Sequence, residues 1–267
     1  MKYKNLLTKT AIIVCLLGLI LLNNSFAQTK SIVRMGSTDT RSFDEGWLFA
    51  RYGLQPDGTR VEEPQQLENE KLNDAGWRKL NLPHDWGIEG PFRIELTGET
   101  GKLPWKGIGW YRKHFTVPAA DAGKQIFVDF DGAMAYAKIW LNGHYVGTWP
   151  YGYNSFRMDL TPYLKFGKEN ILSVRLDTEN WDSRWYPGAG IYRHVWLVKT
   201  NPVHVGHWGT YITTPEITDQ KALVKLAVTV SNQSGKKVTA TVRTNLFEMD
   251  ATNKPTKQHN HPLHVFL

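Results

Sequence analysis

The sequence predicts an all-β protein: a jelly-roll β-sandwich followed by an incomplete immunoglobulin-like β-sandwich. Three observations support this prediction. Short stretches alternate apolar and polar residues with the period of two that a half-buried strand requires. Gly, Pro and Asn-Gly turn signals separate these stretches, and no amphipathic helical stretch of useful length interrupts residues 125–202. Many short strands with regular turns are typical of a sandwich.

The strand candidates of the first domain begin at Gln125. Residues 126–130 place Ile, Val and Phe at alternate positions, and residues 137–141 lead into Asn142-Gly143, a pair that favours a tight hairpin turn. Further strands are predicted at 170–176 and 191–198, from their alternating or mainly apolar composition.

The composition changes near Pro202, where we expect a domain boundary. Beyond it, residues 223–230 and 238–247 are predicted strands in a Val- and Thr-rich segment with few aromatic residues. An immunoglobulin-like sandwich uses about seven strands in roughly 100 residues, so we expect this second domain to be incomplete. The last stretch, residues 254–267, has no strand pattern.

The N-terminus has the features of a secretory signal peptide. Three lysines precede an apolar run at residues 11–22, and Ser25-Phe26-Ala27 forms a small-x-small cleavage pattern. The run is shorter than the ~20 residues of a membrane span, so after cleavage we expect no membrane attachment and a periplasmic or extracellular location. The predicted segments are a signal peptide at 1–27, an N-terminal segment at 28–40, the jelly roll at 41–202, the partial immunoglobulin-like domain at 203–253 and an irregular tail at 254–267.

Charge and cysteine content exclude several classes of protein. Without the three lysines of the signal segment, 29 basic residues face 25 acidic ones, and they are scattered, which argues against a nucleic-acid partner. The single cysteine, Cys15, lies in the apolar run, so the mature protein has none and must be stabilised by its hydrophobic core. Eleven Trp, eleven Tyr and eleven Phe predict a large core or an aromatic binding surface.

Catalytic and metal-binding signatures are missing from the pattern. The sequence has no nucleophile elbow, no phosphate loop and no histidines at metal-ligand spacing, so we expect no cofactor and no metal. Asp129 and Asp131 share one strand face, but a surface or turn-capping role is the commoner use of such a pair.

Four motifs recur together, in this order, in one known family. They are Leu82-Pro83-His84-Asp85-Trp86, Gly107-Ile108-Gly109-Trp110-Tyr111-Arg112, Trp140-Leu141-Asn142-Gly143 and the run from Ser183 to Arg193 that contains Trp185-Tyr186-Pro187-Gly188. With them, the chain resembles the sugar-binding domain of glycoside hydrolase family 2, most closely its β-galactosidases. The resemblance covers residues 41–200 densely and 204–250 more loosely, and it implies a galactose-binding-like jelly roll.

The resemblance implies that the chemistry belongs elsewhere. Whole enzymes of this family continue into a (β/α)₈ barrel whose two glutamates hydrolyse the glycosidic bond with retention, which needs carboxyls about 5 to 5.5 Å apart. We therefore expect no catalytic residue in this chain. The expected partners are a galactoside or another saccharide and a catalytic barrel that is missing or separately encoded.

A sugar ring presents an apolar C–H face and a rim of hydroxyl groups, so its site needs aromatic rings and fixed hydrogen-bonding groups. Residues 181–186 supply both, and the resemblance adds two residues on neighbouring loops. Asp85, Arg184 and Trp185 have a second interpretation, packing against the next domain. The predicted saccharide-binding residues are Asp85, Lys106, Asp182, Arg184 and Trp185.

Other aromatic and basic residues have a structural interpretation. Trp110, Tyr111, Trp140 and Trp196 lie on predicted strands and are expected in the core, and Arg112 and Arg193 are expected in ion pairs or on backbone carbonyls. Three functions stay open at this point. They are an enzyme fragment, a free-standing carbohydrate-binding module and a docking piece of a split enzyme.

Overall fold

The computed structural model describes residues 39–180, 186–242 and 244–259. Within these ranges the secondary structure is β-strand apart from three short 3₁₀ helices, at Gly98–Thr100, Ala119–Asp121 and Thr161–Tyr163. None of the helices in the described ranges is long and apolar enough to cross a membrane. The chain divides into two compact units between Lys199 and Thr200, close to the predicted boundary at Pro202.

The first unit is a sandwich of two antiparallel sheets. Its strands are β1 (Asp39–Ser42), β2 (Trp47–Leu54), β3 (Arg60–Val61), β4 (Arg78–Leu80), β5 (Ile108–Thr116), β6 (Gln125–Phe130), β7 (Ala137–Leu141), β8 (His144–Trp149), β9 (Phe156–Asp159), β10 (Glu169–Asp177) and β11 (Val195–Thr200). The smaller sheet has the order β1-β11-β6-β9, and the larger has the order β3-β2-β5-β10-β7-β8 with β4 also paired to β2.

The core lies between these two sheets. Buried side chains from the larger sheet, such as Trp47 and Tyr111, form one cluster with Val128 and Phe156 of the smaller sheet. The space between the sheets is thus filled by large aromatic and branched side chains, which remove much apolar surface from water. The predicted all-β jelly-roll sandwich is confirmed.

The hairpin of β7 and β8 follows directly from the local sequence. Ala137, Ile139 and Leu141 are buried while Lys138 is exposed, as expected for a strand with one face on the core. In the turn, Asn142 has a φ of +52° and Gly143 a φ of +80°. A two-residue turn with two positive φ angles matches the twist of the strands, and Asn-Gly adopts it readily.

A second apolar layer covers the outer face of the larger sheet. Leu67 packs there against Ile108 and Trp110, and Trp77 and Trp140 join this cluster. Trp110 and Trp140 stack with ring centroids 5.3 Å apart. The strands of this sheet are therefore covered on both sides. The predicted core position of Trp110 is confirmed, and Trp140 is partly buried against the same cluster.

Arg112 joins this second layer to the sheet. Its guanidinium is fully buried, donates to Asp74 Oδ2 at 2.7 Å and to the Leu67 carbonyl at 2.7 Å, and also reaches the Ser173 hydroxyl at 3.1 Å. The predicted structural role of Arg112 is confirmed.

The strand predicted at 191–198 begins later, at Val195. Just before it, Ala189 and Ile191 accept hydrogen bonds from the amides of Trp86 and His84, and Gly190 exchanges two backbone bonds with Met134. Residues 189–191 are thus hydrogen-bonded to the backbone of His84, Trp86 and Met134, and the chain enters the smaller sheet only at Val195. Apolar composition alone could not locate that point.

The second unit consists of two antiparallel strand pairs, β12 (Val203–Ile217) with β13 (Ala222–Asn232), and β14 (Leu246–Met249) with β15 (Pro255–His259). The strand predicted at 223–230 is confirmed, and β12 had not been predicted. The strand predicted at 238–247 is wrong for most of its length, because Val238 and Val242 are exposed and lie outside any strand.

The irregular tail predicted from residue 254 is also wrong up to His259. Asp250 accepts hydrogen bonds at Oδ1 from the amides of Thr252 and Lys254, and Asn253 has a φ of +59°. This carboxylate-capped turn closes the β14–β15 hairpin. The immunoglobulin-like character of the second unit stays a prediction.

Candidate functional site

The carboxylate of Asp85 joins two loops that are distant in the sequence. Its Oδ1 accepts hydrogen bonds from the Gly87 amide at 2.9 Å, the Ala189 amide at 3.1 Å and the Tyr186 hydroxyl at 2.9 Å, and its Oδ2 lies 3.0 Å from the same hydroxyl. Burial raises the pKa of Asp85 although these hydrogen bonds act in the opposite direction. Asp85 therefore fixes the segment 186–190 against the loop that follows β4.

Two glycines of that segment have backbone angles that other residues rarely adopt, and one of them also lies against the backbone of another loop. Gly190 has a φ of +128°, and a Cβ added there would lie 2.5 Å from the His84 carbonyl oxygen and 2.5 Å from the Tyr111 hydroxyl. Gly188 has a φ of +84°. At position 190 only glycine fits both the angle and the space, whereas at position 188 the angle alone favours glycine, since an added Cβ would have no neighbour nearer than 3.6 Å.

A chain of polar groups supports the Asp85 loop from the other side. His84 Nδ1 lies 2.7 Å from the Tyr111 hydroxyl, and its Nε2 lies 2.6 Å from Arg78 Nη2 and 3.1 Å from Glu89 Oε1. Burial lowers the pKa of His84, the charge of Arg78 lowers it further, and Glu89 opposes both. His84 is therefore a neutral positioning group at pH 7.

Lys106 lies on the loop that precedes β5. Its ammonium is 5.7 Å from the centre of the Trp105 ring, and its side chain lines two adjoining recesses of about 210 Å³ and about 250 Å³. The first recess is also lined by Leu54 and Trp105, and the second by Arg60 and Glu179. Lys106 thus presents a charge between two concave surfaces.

The Asp85 and Lys106 loops are in contact. Trp86 Nε1 donates to the Trp105 carbonyl oxygen at 2.8 Å. A Cβ added to Gly87 would lie 2.3 Å from the Tyr186 hydroxyl and 2.8 Å from Trp105 Cβ. Two of the predicted saccharide-binding residues therefore lie on neighbouring loops of the same unit. The other three, Asp182, Arg184 and Trp185, lie outside the described residues.

Two residues of this site were not among the predicted ones. Tyr186 belongs to one of the four motifs, but the residue of that motif predicted to give the aromatic contact with the sugar is the preceding Trp185. Arg51 donates to the carbonyls of Leu54, Pro104 and Lys106, and burial lowers its pKa to about 10. A lone arginine outside the four motifs gives no sequence signal for this role in supporting the Lys106 loop.

The paired carboxylates Asp129 and Asp131 have structural partners. Asp129 is only 3% exposed and binds Arg157 through both oxygens, at 2.6 and 2.8 Å, while Asp131 accepts from Trp196 Nε1 at 2.8 Å. The surface interpretation is therefore wrong for Asp129, because its charge is compensated inside the protein. Arg193 contacts backbone carbonyls, as predicted. In the described ranges no three acidic, His or Cys side chains gather as a metal site.

Comparison with known proteins decides the family. Residues 74–201 match the sugar-binding domain of glycosyl hydrolases family 2. This chain contains a family 2 sugar-binding domain. The matched residues include β4 to β11 and both the Asp85 and the Lys106 loops.

The similar proteins carry the names of glycosidases and are longer than this chain. The chain is 46% identical over 207 residues to a β-galactosidase of Bacteroides ovatus, covering 76% of this chain and 23% of that protein. It is 37% identical over 187 residues to a putative β-glucuronidase of Formosa agariphila, covering 69% of this chain and 17% of that one. The chain thus spans less than a quarter of the length of these two relatives.

Solved structures agree with this assignment. A β-glycosidase from Bacteroides vulgatus superimposes with a TM-score of 0.65 at 36% identity, over 74% of this chain and 25% of that one. A family 2 member from Bacteroides cellulosilyticus gives a TM-score of 0.65 at 37% identity, over 82% of this chain and 28% of that one. The fold described above is thus that of family 2 enzymes in the region covered.

Proposed function

We propose that this chain supplies the saccharide-binding part of a secreted family 2 glycoside hydrolase that removes terminal β-galactosyl residues. The observation that carries the proposal is the Asp85 carboxylate, which joins the segment 186–190 to the loop beside Lys106. The chain is more similar to the β-galactosidase of Bacteroides ovatus, at 46% identity, than to the putative β-glucuronidase, at 37%. This difference in identity favours a galactoside as the substrate in our proposal.

The chemistry of the two loops suits a sugar. Lys106 offers a flexible ammonium donor beside an indole ring. On the neighbouring loop, Oδ2 of the half-buried Asp85 has acceptor capacity beyond its contact with the Tyr186 hydroxyl. In the proposed site, Asp182, Arg184 and Trp185 add an acceptor, a planar donor and an aromatic ring on the continuation of the segment that Asp85 holds. Hydroxyl groups and the C–H face of a galactosyl ring would thus both be bound.

We assign no catalytic residue to this chain. Retaining hydrolysis needs two carboxyls about 5 to 5.5 Å apart that are open to the substrate, one to protonate the leaving oxygen and one to attack the anomeric carbon. The partly or fully buried carboxylates of Asp85, Asp74 and Asp129 accept hydrogen bonds that position protein groups. In our proposal a (β/α)₈ barrel, in the same polypeptide or separately encoded, supplies the acidic pair.

We also propose export through a cleaved signal peptide, on the strength of the lysines, the apolar run and Ser25-Phe26-Ala27. N-terminal sequencing of the protein recovered from the periplasm or medium is expected to start at Gln28. A protein that stays inside the cell with Met1 intact would contradict export and leave the saccharide site unaffected.

The activity is tested on the purified chain with a chromogenic β-galactoside and β-glucuronide, and by calorimetry with the two methyl glycosides. We expect no turnover. We expect the galactoside to bind with a Kd on the order of 1 mM, which corresponds to a binding free energy of about 4 kcal/mol. Turnover by this chain alone would overturn the assignment of chemistry to another domain. Tight binding without turnover would favour a free-standing carbohydrate-binding module, and recovery of activity with a separate barrel would favour a split enzyme.

A further inference from the structure

Four tyrosines form a surface beside the segment that Asp85 holds. They are contributed by three parts of the chain, and we call the set Tyr136, Tyr151, Tyr153 and Tyr192 the tyrosine platform. Tyr136 is 40% exposed and Tyr151 is 47% exposed, and Tyr153 and Tyr192 are half-buried. The rings of Tyr151 and Tyr153 meet edge to face, with centroids 5.5 Å apart.

The platform is held by backbone hydrogen bonds. The Tyr192 hydroxyl donates to the Gly152 carbonyl oxygen at 3.0 Å, and the Tyr136 amide donates to the Pro150 carbonyl oxygen at 3.0 Å. The Arg193 guanidinium lies 5.1 Å from the centre of the Tyr192 ring. These contacts fix the three segments relative to one another, so the rings are positioned before any ligand arrives, which reduces the entropic cost of binding.

Tyr136 has an unusual backbone conformation. Its φ is +48°, in the left-handed region that bulky residues rarely adopt. Such conformations cost free energy and concentrate at ligand-binding sites. Here the conformation accompanies a ring that is directed partly to solvent instead of into the sandwich.

Gly188 connects the platform to the Asp85 site. A Cβ added to Gly188 would lie 3.6 Å from Asp85 Oδ2 and 3.8 Å from Tyr192 Cγ. The carboxylate and the Tyr192 ring therefore flank the same glycine. A ligand that leaves the Asp85 site along this side of residues 186–190 would pass onto the platform.

We infer that the tyrosine platform binds the following rings of an oligosaccharide whose terminal residue occupies the Asp85 site. The inference rests on the proposed function and narrows its substrate class to saccharides of three or more rings. Tyrosine rings offer a flat surface to sugar C–H groups and hydroxyls to their rims, and Arg193 adds donors at the edge. A surface for apolar protein side chains would have no comparable need for hydroxyl groups.

The test compares short and long ligands on the full chain. Calorimetry with methyl β-galactoside and with a β-linked galactotetraose is expected to show at least about tenfold tighter binding of the tetraose. In Tyr151→Ala the tetraose affinity is expected to fall about threefold to tenfold, since one ring contact is lost, while monosaccharide affinity changes less than about twofold. Tyr151→Phe keeps the ring and loses the hydroxyl, so its tetraose affinity is expected to lie between those of the wild type and Tyr151→Ala.

Tyr163→Ala is the matched control, because Tyr163 is 38% exposed and stacks on His144 away from the platform. The inference would be overturned by equal affinity for both ligands, or by an unchanged tetraose affinity in both Tyr151→Ala and Tyr153→Ala. In either case, binding of methyl β-galactoside would still support the Asp85 site. Tyrosine-dependent binding of the tetraose without monosaccharide binding would instead overturn the Asp85 site and uphold the platform. Circular dichroism and thermal unfolding verify that each variant is folded.

Discussion

The Tyr186 hydroxyl lies 2.9 Å from Oδ1 and 3.0 Å from Oδ2 of Asp85, a residue 101 positions earlier in the chain. Both the charge of Asp85 and burial raise the pKa of Tyr186, so the phenol stays protonated and remains the donor. This pair, with the amides of Gly87 and Ala189, fixes the loop geometry on which the proposed saccharide site depends.

Tyr186→Phe removes the donor and keeps the ring. Because a hydrogen bond to a charged, partly buried acceptor is lost, the free energy of unfolding is expected to fall by about 1.5–3 kcal/mol. Urea denaturation measures it, with the exposed Tyr163→Phe as a control that changes it by less than about 0.5 kcal/mol. Equal stability of Tyr186→Phe and the wild type would show that this bond does not hold the segment.

Asp85→Asn removes the negative charge of the side chain and keeps its shape. Burial raises the pKa of Asp85 above its unfolded value of 3.8, so the folded state binds the proton first as the pH falls. The contribution of Asp85 to stability is therefore fully present below pH 3.8 and is lost as the pH rises through the raised pKa. Relative to Asp85→Asn, the wild type is expected to become more stable as the pH is lowered through this window.

Denaturant titrations of both proteins at several pH values measure this difference. The comparison with Asp85→Asn cancels the contribution of carboxylates such as Glu63 and Asp74, whose pKa values are lowered and which act in the opposite direction. A difference that grows as the pH rises would mean that Asp85 is stabilised as an anion in the folded protein.

Asp74→Asn tests the buried ion pair with Arg112. Burial raises the pKa of Asp74, but the hydrogen bonds from His114 and Arg112 outweigh it, and the net pKa is lowered. The pair therefore contributes stability above pH 3.8 that is lost as the pH falls through the lower folded pKa. Since Arg112 is fully buried, the variant is expected to lose about 3 kcal/mol or more at pH 7.

The exposed pair of Arg41 with Asp39 provides the control, because surface ion pairs contribute little. Arg41→Gln is expected to unfold at nearly the wild-type urea concentration at pH 7. If the loss in Asp74→Asn were as small as this, the Arg112 site would be hydrated in solution.

Gly190→Ala tests the close packing of the segment on the His84 loop. A Cβ there would meet backbone and a buried hydroxyl at 2.5 Å, so we expect a loss of about 3 kcal/mol or more, or failure to fold. Gly46→Ala is matched in having a positive φ of 69° but nothing within 4 Å, and is expected to cost only about 1–2 kcal/mol. Similar melting temperatures for the two variants would contradict the packing described.

The sequence predicts the first unit well where the signal is local. The β7–β8 hairpin follows from alternation and the Asn-Gly turn, and the strand predicted at 170–176 lies within β10. The start of β11 at Val195 depends instead on contacts of residues 189–191 with distant segments. In the second unit, β15 depends on the Asp250 turn, a signal present in the sequence but weaker than strand alternation.

The candidate site shows the same division. Asp85 could be selected from its motif, but its role in binding Tyr186 arises from a tertiary contact that spacing does not encode. Arg51 lies outside the four motifs, and of the tyrosine platform only Tyr192 belongs to one of them. They become visible only when the fold brings their segments together.

The central claim, that the loops joined by Asp85 bind a galactosyl residue, is tested most directly by NMR. In a titration of the ¹⁵N-labelled chain with methyl β-galactoside, the amides of Gly87 and Ala189, which donate to Asp85, are expected to shift and saturate together. The amide of Thr218 in the second unit is expected to stay unchanged. The expected Kd on the order of 1 mM corresponds to about 4 kcal/mol of binding free energy. Two results would contradict the account: saturable shifts confined to the second unit, or no shift of the Gly87 and Ala189 amides at ligand concentrations well above this Kd.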